Sequence, residues 1–470
     1  NGNPSASVVV TVTHKAPVVK AGPDQVVTLP FTGSAVATMA GEATDDGLPI
    51  PPGSLTILWT QTSGPVPAAI SVPSSPTTDI SFTQVGIYEF ELSADDSEKQ
   101  GSDSVVITVL PAPPCTGPDS TCFARQVDVS NPGAALTNYQ VKFTLDTAAL
   151  ISDGKMRADC GDLRVTDSDG ATMISHWVES GCNSPATNIW ARIQSLPGSA
   201  TKTIYATYGN AAVTSTSDFA GTFPSRYILT SGTDNSAGAQ SYDWFEVRPG
   251  ATFNITDGVP QSITARKIIV SGTVNGAGLG FEGAPVVGSG AGPGAGSHKS
   301  GGGYGGAGGQ GKPSTWGAGG TPGLPYGSAT SQAIEMGSGG GASDGNQAPG
   351  GDGGGAVTLR SQEIVISGTV TMEGWSHGTG TNQNGGGAGG GILILSSRVN
   401  LFGTLSAAGG DGDGGTVRAG GAGGGGGGRI KVFSDESISD TSTKNVNGGS
   451  GSPGGTNGGP FSPGDDGAPG

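Results

Sequence analysis

Hydrophobic and polar positions alternate in short runs along the first half of the chain, as they do in half-buried β-strands. Between residues 16 and 110, turn residues separate these runs at intervals of about 8 to 12 residues, which is typical of an all-β sandwich. Similar runs follow between residues 123 and 210. The pattern predicts two β-sandwich domains, at residues 15–113 and 114–222, and almost no helix.

A repeated unit dominates the second half of the chain. Each copy is an aliphatic strand, a Gly-Thr pair and one more aliphatic residue, and it occurs at residues 267–276, 363–372 and 398–407. A second strand precedes the later copies across a polar corner, at residues 360–363, 396–398 and 434–436. A supersecondary unit that recurs is the mark of a stacked solenoid. We therefore predict a right-handed parallel β-helix, or a close relative, within residues 223–470.

Glycine changes this picture. The chain has 89 glycines, most of them after residue 270, and ordering a glycine costs about 1 kcal/mol more than ordering an alanine. Residues 302–310 place glycine with a period of three, which suits polyglycine-II helices of three residues per turn. Such helices have no internal hydrogen bonds, so their amides must pair with neighbouring strands or water. The alternative is that these glycine-rich excursions are flexible loops.

Residues 5–13 form a β-branched run that resembles residues 102–111, the expected last strand of the first sandwich. Two explanations fit this orphan strand in segment 1–14. It is either the remnant of a preceding module or a strand donated to the sheet of a neighbouring subunit. An unpaired apolar strand in solution would be an aggregation hazard under either explanation.

The cysteine count is even and the spacing is close, with Cys115, Cys122, Cys160 and Cys182 in one window and no accompanying histidine cluster. This arrangement favours disulfides over a metal site, and hence an oxidising, extracytoplasmic compartment. Four cysteines allow three pairings. We favour Cys115 with Cys122 and Cys160 with Cys182, because the first pair closes a tight loop at a domain boundary.

Net charge is −16 and the sequence pI is near 4.5. Phosphate backbones and anionic membranes repel such a chain, so neither nucleic acid nor a membrane surface is an expected partner. No apolar run is long enough to span a membrane. The chain has no initiator Met and no signal peptide, so we expect a mature form or a piece of a longer protein.

Residues 16–110 resemble the immunoglobulin-like repeats of the polycystic-kidney-disease (PKD) type. The segments that carry the resemblance are residues 18–25, 44–47, 58–65 and 86–96. The resemblance implies an extracellular spacer or adhesion module with Trp59 in its core. It also implies that Tyr88 lies near the start of a strand, as in a tyrosine corner.

Residues 115–219 resemble the domain of unknown function numbered 2341, and the Tyr-Gly-Asn ending at residues 208–210 is the most specific part. The family implies a lectin-like jelly-roll sandwich in secreted, multidomain surface proteins. It carries no established catalytic residues to transfer.

Calcium is the one candidate cofactor, because hard cations take several carboxylate and carbonyl oxygens. The alternative is that these acidic residues lie in turns, where Asp accepts local backbone hydrogen bonds. The candidate ligands are Asp24, Asp45, Asp46, Asp95, Asp96 and Asp103.

Catalytic chemistry is not predicted. The histidines His14, His176, His298 and His377 are scattered, without the spacing of zinc ligands. β-Helices often carry polysaccharide lyases or hydrolases, an analogy of fold alone. That chemistry needs two aligned carboxylates, for which Glu363, Glu373, Asp411 and Asp413 are the candidates; we interpret them instead as solvated turn residues.

The sequence favours an extracellular structural protein, a subunit or segment of a surface filament, sheath or adhesin that associates with itself through β-strands and glycine. The alternative hypothesis is a carbohydrate-binding adhesion protein, with cell-surface glycans as partners and exposed aromatics such as Trp316 or Trp375 as stacking platforms. A polysaccharide-active enzyme is the third hypothesis.

Overall fold

The computed structural model describes residues 13–29, 34–49, 54–110, 123–170, 172–235, 239–313, 319–343, 348–377, 383–414, 420–453, 467–468 and 470. The chain forms two compact units, Asn1–Thr222 and Phe223–Gly470. Among the described residues, the regular structure is almost entirely β-strand, with two short helices. The prediction of an all-β protein is confirmed. The predicted strand at residues 5–13 lies outside the described residues except for Thr13.

Nine strands make up the first part of unit 1: β1 (Val18–Lys20), β2 (Gln25–Thr28), β3 (Ala35–Ala40), β4 (Glu42–Thr44), β5 (Thr56–Ser63), β6 (Ala69–Ile70), β7 (Thr77–Phe82), β8 (Gly86–Asp95) and β9 (Gln100–Leu110). They form a four-stranded sheet in the order β2-β9-β8-β5, a three-stranded sheet in the order β3-β7-β6, and the pair β1-β4. Inward positions alternate along β8, as expected of a strand with one buried face.

An aromatic core joins these strands. Trp59 is 2% exposed, and its indole Nε1 donates to the carbonyl oxygen of Pro76 over 3.3 Å. Tyr88 lies near the start of β8, fully buried, and its hydroxyl donates to the Gln84 carbonyl oxygen over 2.9 Å. A tyrosine hydroxyl bonded to the backbone a few residues upstream is the tyrosine corner of immunoglobulin-like sandwiches. Both expectations for this core, Trp59 inside and Tyr88 at a corner, are confirmed.

The second part of unit 1 comprises β10 (Phe123–Asn131), β11 (Leu136–Leu145), α1 (Thr147–Ser152), β12 (Arg164–Thr166), β13 (His176–Ser180), β14 (Thr187–Leu196), β15 (Ala200–Tyr208) and α2 (Phe219–Thr222). Two antiparallel three-stranded sheets run in the orders β10-β15-β12 and β11-β14-β13. Asp146 caps α1 by accepting from the Ala149 amide. Cys160 and Cys182 form a disulfide, as predicted; Cys115 and Cys122 lie outside the described residues.

Unit 2 contains β16 (Arg226–Leu229), β17 (Gly232–Asp234), β18 (Gln240–Ser241), β19 (Trp244–Val247), β20 (Ala251–Asn254), β21 (Gln261–Thr264), β22 (Lys267–Val270), β23 (Thr273–Asn275), β24 (Ala356–Ile366), β25 (Thr369–Thr371), β26 (Gly391–Leu401), β27 (Thr404–Ser406), β28 (Arg429–Phe433), β29 (Ser437–Asp440) and β30 (Thr443–Asn445). Every strand pair described in this unit is parallel. One sheet has nine strands, and the other has six in the order β17-β20-β23-β25-β27-β30.

The sequence repeats come into register in these sheets. Ile268 pairs with Ile364, and Ile364 with Val399. In the six-stranded sheet Val274 pairs with Val370, and Val370 with Leu405. These side chains belong to one buried apolar cluster, so the aliphatic residues on either side of each Gly-Thr pair stack above their counterparts.

One detail differs from the sequence prediction. The polar corners at 360–363 and 396–398 do not end the strands, because β24 and β26 continue through them. Ser361 pairs with Ser396, and the Ser361 hydroxyl donates to Ser396 Oγ over 2.9 Å. The corner side chains thus bond along the stack, and the parallel ladder resumes at Glu363 and Arg398.

Glycine segments that are neither helix nor strand are nevertheless buried, for example residues 385–390 and 423–428. Their amides bond laterally to other glycine segments: Gly410 N donates to Gly387 O, Gly425 N to Gly410 O and Gly449 N to Gly425 O, each over 2.8 Å. A Cβ on Gly425 would lie only 2.0 Å from the carbonyl oxygen of Gly387. Only glycine permits this approach of one backbone to another.

Candidate functional site

Backbone amides bind the candidate calcium ligands of the first sandwich. Asp24 Oδ1 accepts from Val106 N over 2.9 Å, and Asp103 Oδ2 accepts from Ala21 N over 2.8 Å. These two carboxylates therefore link segments that are distant in sequence, which spacing alone did not show.

The other four carboxylates lie in local turns. Asp45 accepts from Gly47 N and Asp95 from Ser97 N, in the two-residue pattern by which Asp forms turns. Asp46 accepts from the amides of Leu48 and Lys15. Across the described ranges, no three His, Cys, Asp or Glu side chains gather as a metal site. Calcium at these residues stays a prediction.

Asp96 has a partner that sequence reasoning missed. His14 Nε2 lies 2.9 Å from Asp96 Oδ2, and His14 Nδ1 lies 3.3 Å from Glu98 Oε2. The hydrogen bond to Asp96 raises the pKa of His14 above its usual value. The two residues are 82 positions apart, so no local pattern brought them together, and the contact fixes the start of the sandwich to the β8–β9 turn.

Trp375 is the most prominent exposed aromatic among the described residues of unit 2, with 56% of its surface accessible. The ring of His377 lies 5.6 Å from it, and His377 Nε2 lies 2.9 Å from Asp352 Oδ2. A Cβ on Gly278 would meet the Trp375 ring at 2.9 Å, so the glycine lets the backbone support one side of the indole. An exposed indole beside a histidine and a carboxylate suits stacking on, and hydrogen bonding to, a hydroxyl-rich ligand. Trp316 lies outside the described residues.

A groove of about 370 Å³ lies at the predicted polar corners, lined by residues that include Arg360, Ser397, Phe433 and Asp435. The side chains of Arg360 and Asp435 make no bond to another described residue, so both are available to a ligand. The groove combines charged, hydroxyl and aromatic groups, the usual chemistry of a polar small-molecule site.

The candidate enzyme carboxylates are engaged in structure. Glu363 Oε1 lies 2.9 Å from Lys267 Nζ, and both side chains are nearly buried. Glu373 accepts from the Ser406 hydroxyl, and Asp411 Oδ1 accepts from Ser450 N. Asp413 is also buried. The solvated-turn interpretation is therefore wrong for Glu363 and Asp413, because neighbouring strands and glycine segments cover them. Absence of catalysis stays a prediction.

None of the helices in the described part of the chain is both long and apolar enough to cross a membrane. This finding agrees with the expectation from hydropathy.

Two family models match the chain. A model for PKD domains matches residues 21–109. The model described as domain of unknown function (DUF2341) matches residues 159–246, so it overlaps the predicted range of 115–219 and extends into the segment that follows.

Two solved structures are similar to the first of these regions. The solution structure of the PKD domain from KIAA 1837 protein is 28% identical and covers 24% of this chain and 100% of its own, with a TM-score of 0.18. The PKD domain of human KIAA0319 is 24% identical and covers 25% and 100%, also with a TM-score of 0.18. The family matches confirm that this chain contains a PKD domain followed by a DUF2341 domain.

Proposed function

We propose that this protein is an extracellular structural protein, a subunit or segment of a surface filament, sheath or adhesin. In this proposal residues 223–470 form a parallel β-solenoid whose excursions run as polyglycine-II-like helices. The sandwiches act as spacers or joints, and the solenoid is a stiff, protease-resistant body. PKD domains are typical of extracellular adhesion and surface proteins, which supports the coarse assignment.

The row of amide bonds from Gly449 through Gly425 and Gly410 to Gly387 carries this proposal. Each glycine belongs to a different excursion or to the segment that leads into a strand, so the bonds join segments that are distant in sequence. Because polyglycine-II helices lack internal hydrogen bonds, order in one of them depends on its neighbours. Such shared order suits a load-bearing body, whereas a mobile loop has no use for it.

Electron microscopy of the full chain at high concentration tests the proposal. Helical polymers or sheaths support it, and monodisperse monomers contradict it. A truncation that lacks residues 1–13 separates the two explanations of the orphan strand. Loss of polymers on truncation supports donation of that strand to a neighbour; unchanged polymers leave the remnant explanation.

A second function has its own observation, the exposed Trp375 beside His377 and Asp352. We infer that an adhesion role would use this surface, or the groove at Arg360 and Asp435, to bind cell-surface glycans. A glycan array with the full chain tests it. Saturable binding that Trp375→Ala or Arg360→Ala abolishes supports glycan adhesion, and absence of binding contradicts it. We also propose that the protein is not an enzyme; release of reducing sugars or unsaturated ends from polysaccharides would contradict this.

A further inference from the structure

The six-stranded sheet of unit 2 carries a column of identical residues on its outward side. Thr233, Thr252, Thr273, Thr369, Thr404 and Thr443 follow one another in register, one from each strand. The residues that follow them on β20, β23, β25 and β27 are apolar and buried in the core. Since side chains alternate across a strand, the threonines face away from that core.

The hydroxyls of this threonine column are available. Within the described residues, none of the six side chains has a hydrogen-bond partner, and none of their hydroxyl oxygens is an unpartnered buried atom. The next outward column is Asn254, Asn275, Thr371, Ser406 and Asn445. There Asn275 Nδ2 donates to Asn254 Oδ1 over 3.0 Å, so the second column is partly bonded along the stack while the first is free.

Parallel pairing alone does not demand threonine at such positions. A comparable outward column on the nine-stranded sheet reads Glu246, Ile269, Val365, Asn400 and Ser439. That column mixes charged, aliphatic and polar residues on the same kind of ladder. The uniformity of the threonine column therefore calls for a reason other than strand pairing.

Charge excludes several ligands. Neither outward column contains an ionisable side chain, although the chain as a whole carries a net charge of −16. Ionic ligands are recognised by paired charges, which this face lacks. The partner that suits it is neutral, extended and periodic.

Periodicity narrows the choice further. Parallel strands lie about 4.8 Å apart, and alternate residues along a strand are about 6.6 Å apart. The face thus repeats small hydroxyl or amide groups in two directions, with a threonine methyl beside each hydroxyl of the first column. Water molecules on the faces of crystalline ice repeat on a similar scale. A rigid array of this kind holds water in ordered positions without the entropy cost of arranging mobile side chains.

We propose that the threonine column and its neighbouring column form an ice-binding face. This inference goes beyond the proposed structural function, since it requires neither polymerisation nor glycan binding. Hydroxyls anchor the outer layer of ice water and methyls exclude disordered water between them. Many weak contacts act together, so binding depends on the regularity of the array.

Ice-affinity partitioning of the purified full chain into a slowly growing ice surface tests this proposal, with inhibition of ice recrystallisation as a second readout. The wild-type chain is expected to enter the ice and to keep ice grains small. Thr273→Tyr and Thr369→Tyr each place a bulky ring in the middle of the face, so incorporation falls by about tenfold or more, equivalent to about 1.4 kcal/mol.

Asn400→Tyr is the matched control, because it adds the same ring to the outward column of the other sheet; its ice incorporation stays at the wild-type level. Unchanged circular dichroism and unfolding temperature confirm that all three variants are folded. Exclusion of the wild-type chain from ice overturns the proposal, as does equal loss in the control. Binding of the same threonines to a neutral crystalline polysaccharide, without binding to ice, also overturns it.

Discussion

Lys267 Nζ and Glu363 Oε1 lie 2.9 Å apart across two neighbouring parallel strands, with side chains only 7% and 8% exposed. The Lys267 ammonium also lies 5.6 Å from the centroid of the Trp244 ring, within the range of a cation–π contact. On the other side, Arg398 Nε lies 3.7 Å from Glu363 Oε2, and Arg398 Nη1 contacts Glu436 Oε2 at 2.8 Å. Alternating charges thus extend along the stack of unit 2.

This buried pair predicts a large cost when one partner is removed. Lys267→Met leaves the Glu363 carboxylate with a poorer set of partners, so we expect the free energy of unfolding of unit 2 to fall by about 3 kcal/mol. Chemical denaturation monitored by circular dichroism measures it. Lys20→Met is the control, since the Lys20–Glu42 pair is 71% exposed on both sides and such pairs contribute less than about 1 kcal/mol. Equal effects of the two substitutions would contradict the structural role of Lys267.

A methyl group tests the glycine packing. Gly425→Ala places a Cβ against the Gly387 carbonyl, so we expect a loss of about 2 kcal/mol or more, as in other overpacked interiors. Gly414→Ala is the matched control, because the nearest atom to its Cβ is Ser452 Cβ at 3.9 Å. The two unfolding temperatures are compared by calorimetry. If Gly425→Ala is as stable as Gly414→Ala, close backbone contact is not what orders these segments.

Amide exchange measures the same order without substitution. Residues 385–390 and 423–428 are buried and bonded to neighbouring segments, so their amides exchange at rates comparable to those of β24 and β26 rather than in milliseconds to seconds. Hydrogen–deuterium exchange with mass spectrometry gives the rates. Exchange as fast as in an unfolded peptide contradicts the polyglycine-II proposal.

Acid destabilises unit 1 through His176. Burial lowers the pKa of His176 to about 4, and its Nε2 is buried with no partner in the described part of the chain. An unfolded histidine, with a pKa near 6.5, takes up a proton at higher pH than the folded one. The contribution to stability is therefore present above about pH 6.5 and lost as pH falls towards 4, by about 3 kcal/mol.

Urea unfolding between pH 7 and pH 4 measures this dependence. The variant His176→Gln removes the titration, so its stability declines less steeply over the same window than that of the wild-type protein. An NMR titration that gives His176 an ordinary pKa would contradict the assignment.

The calcium hypothesis makes a separate prediction. If Asp24, Asp45, Asp46, Asp95, Asp96 and Asp103 hold calcium, the unfolding temperature rises with calcium concentration, because the ion binds the folded state. Asp46→Asn and Asp96→Asn then abolish this response, and magnesium does not replace calcium. An unfolding temperature that ignores calcium leaves the six carboxylates with their backbone hydrogen bonds alone.

Alternating strands, the aromatic core around Trp59 and Tyr88 and the register of the Gly-Thr repeats followed from the sequence by itself. Such features depend on periodicity and on side chains that demand burial, both of which are local properties of the chain. The Cys160–Cys182 pairing also followed, because few alternatives exist for four cysteines.

Contacts between distant segments were decided only by the tertiary structure. The pairs His14–Asp96 and Lys267–Glu363, and the continuation of β24 through its polar corner, depend on which segments the fold brings together. Glycine shows the difference most clearly. Its abundance indicated close backbone contact, but a residue without a side chain carries no pattern that names its neighbour, so the partner of Gly425 is determined by the packing of the whole unit.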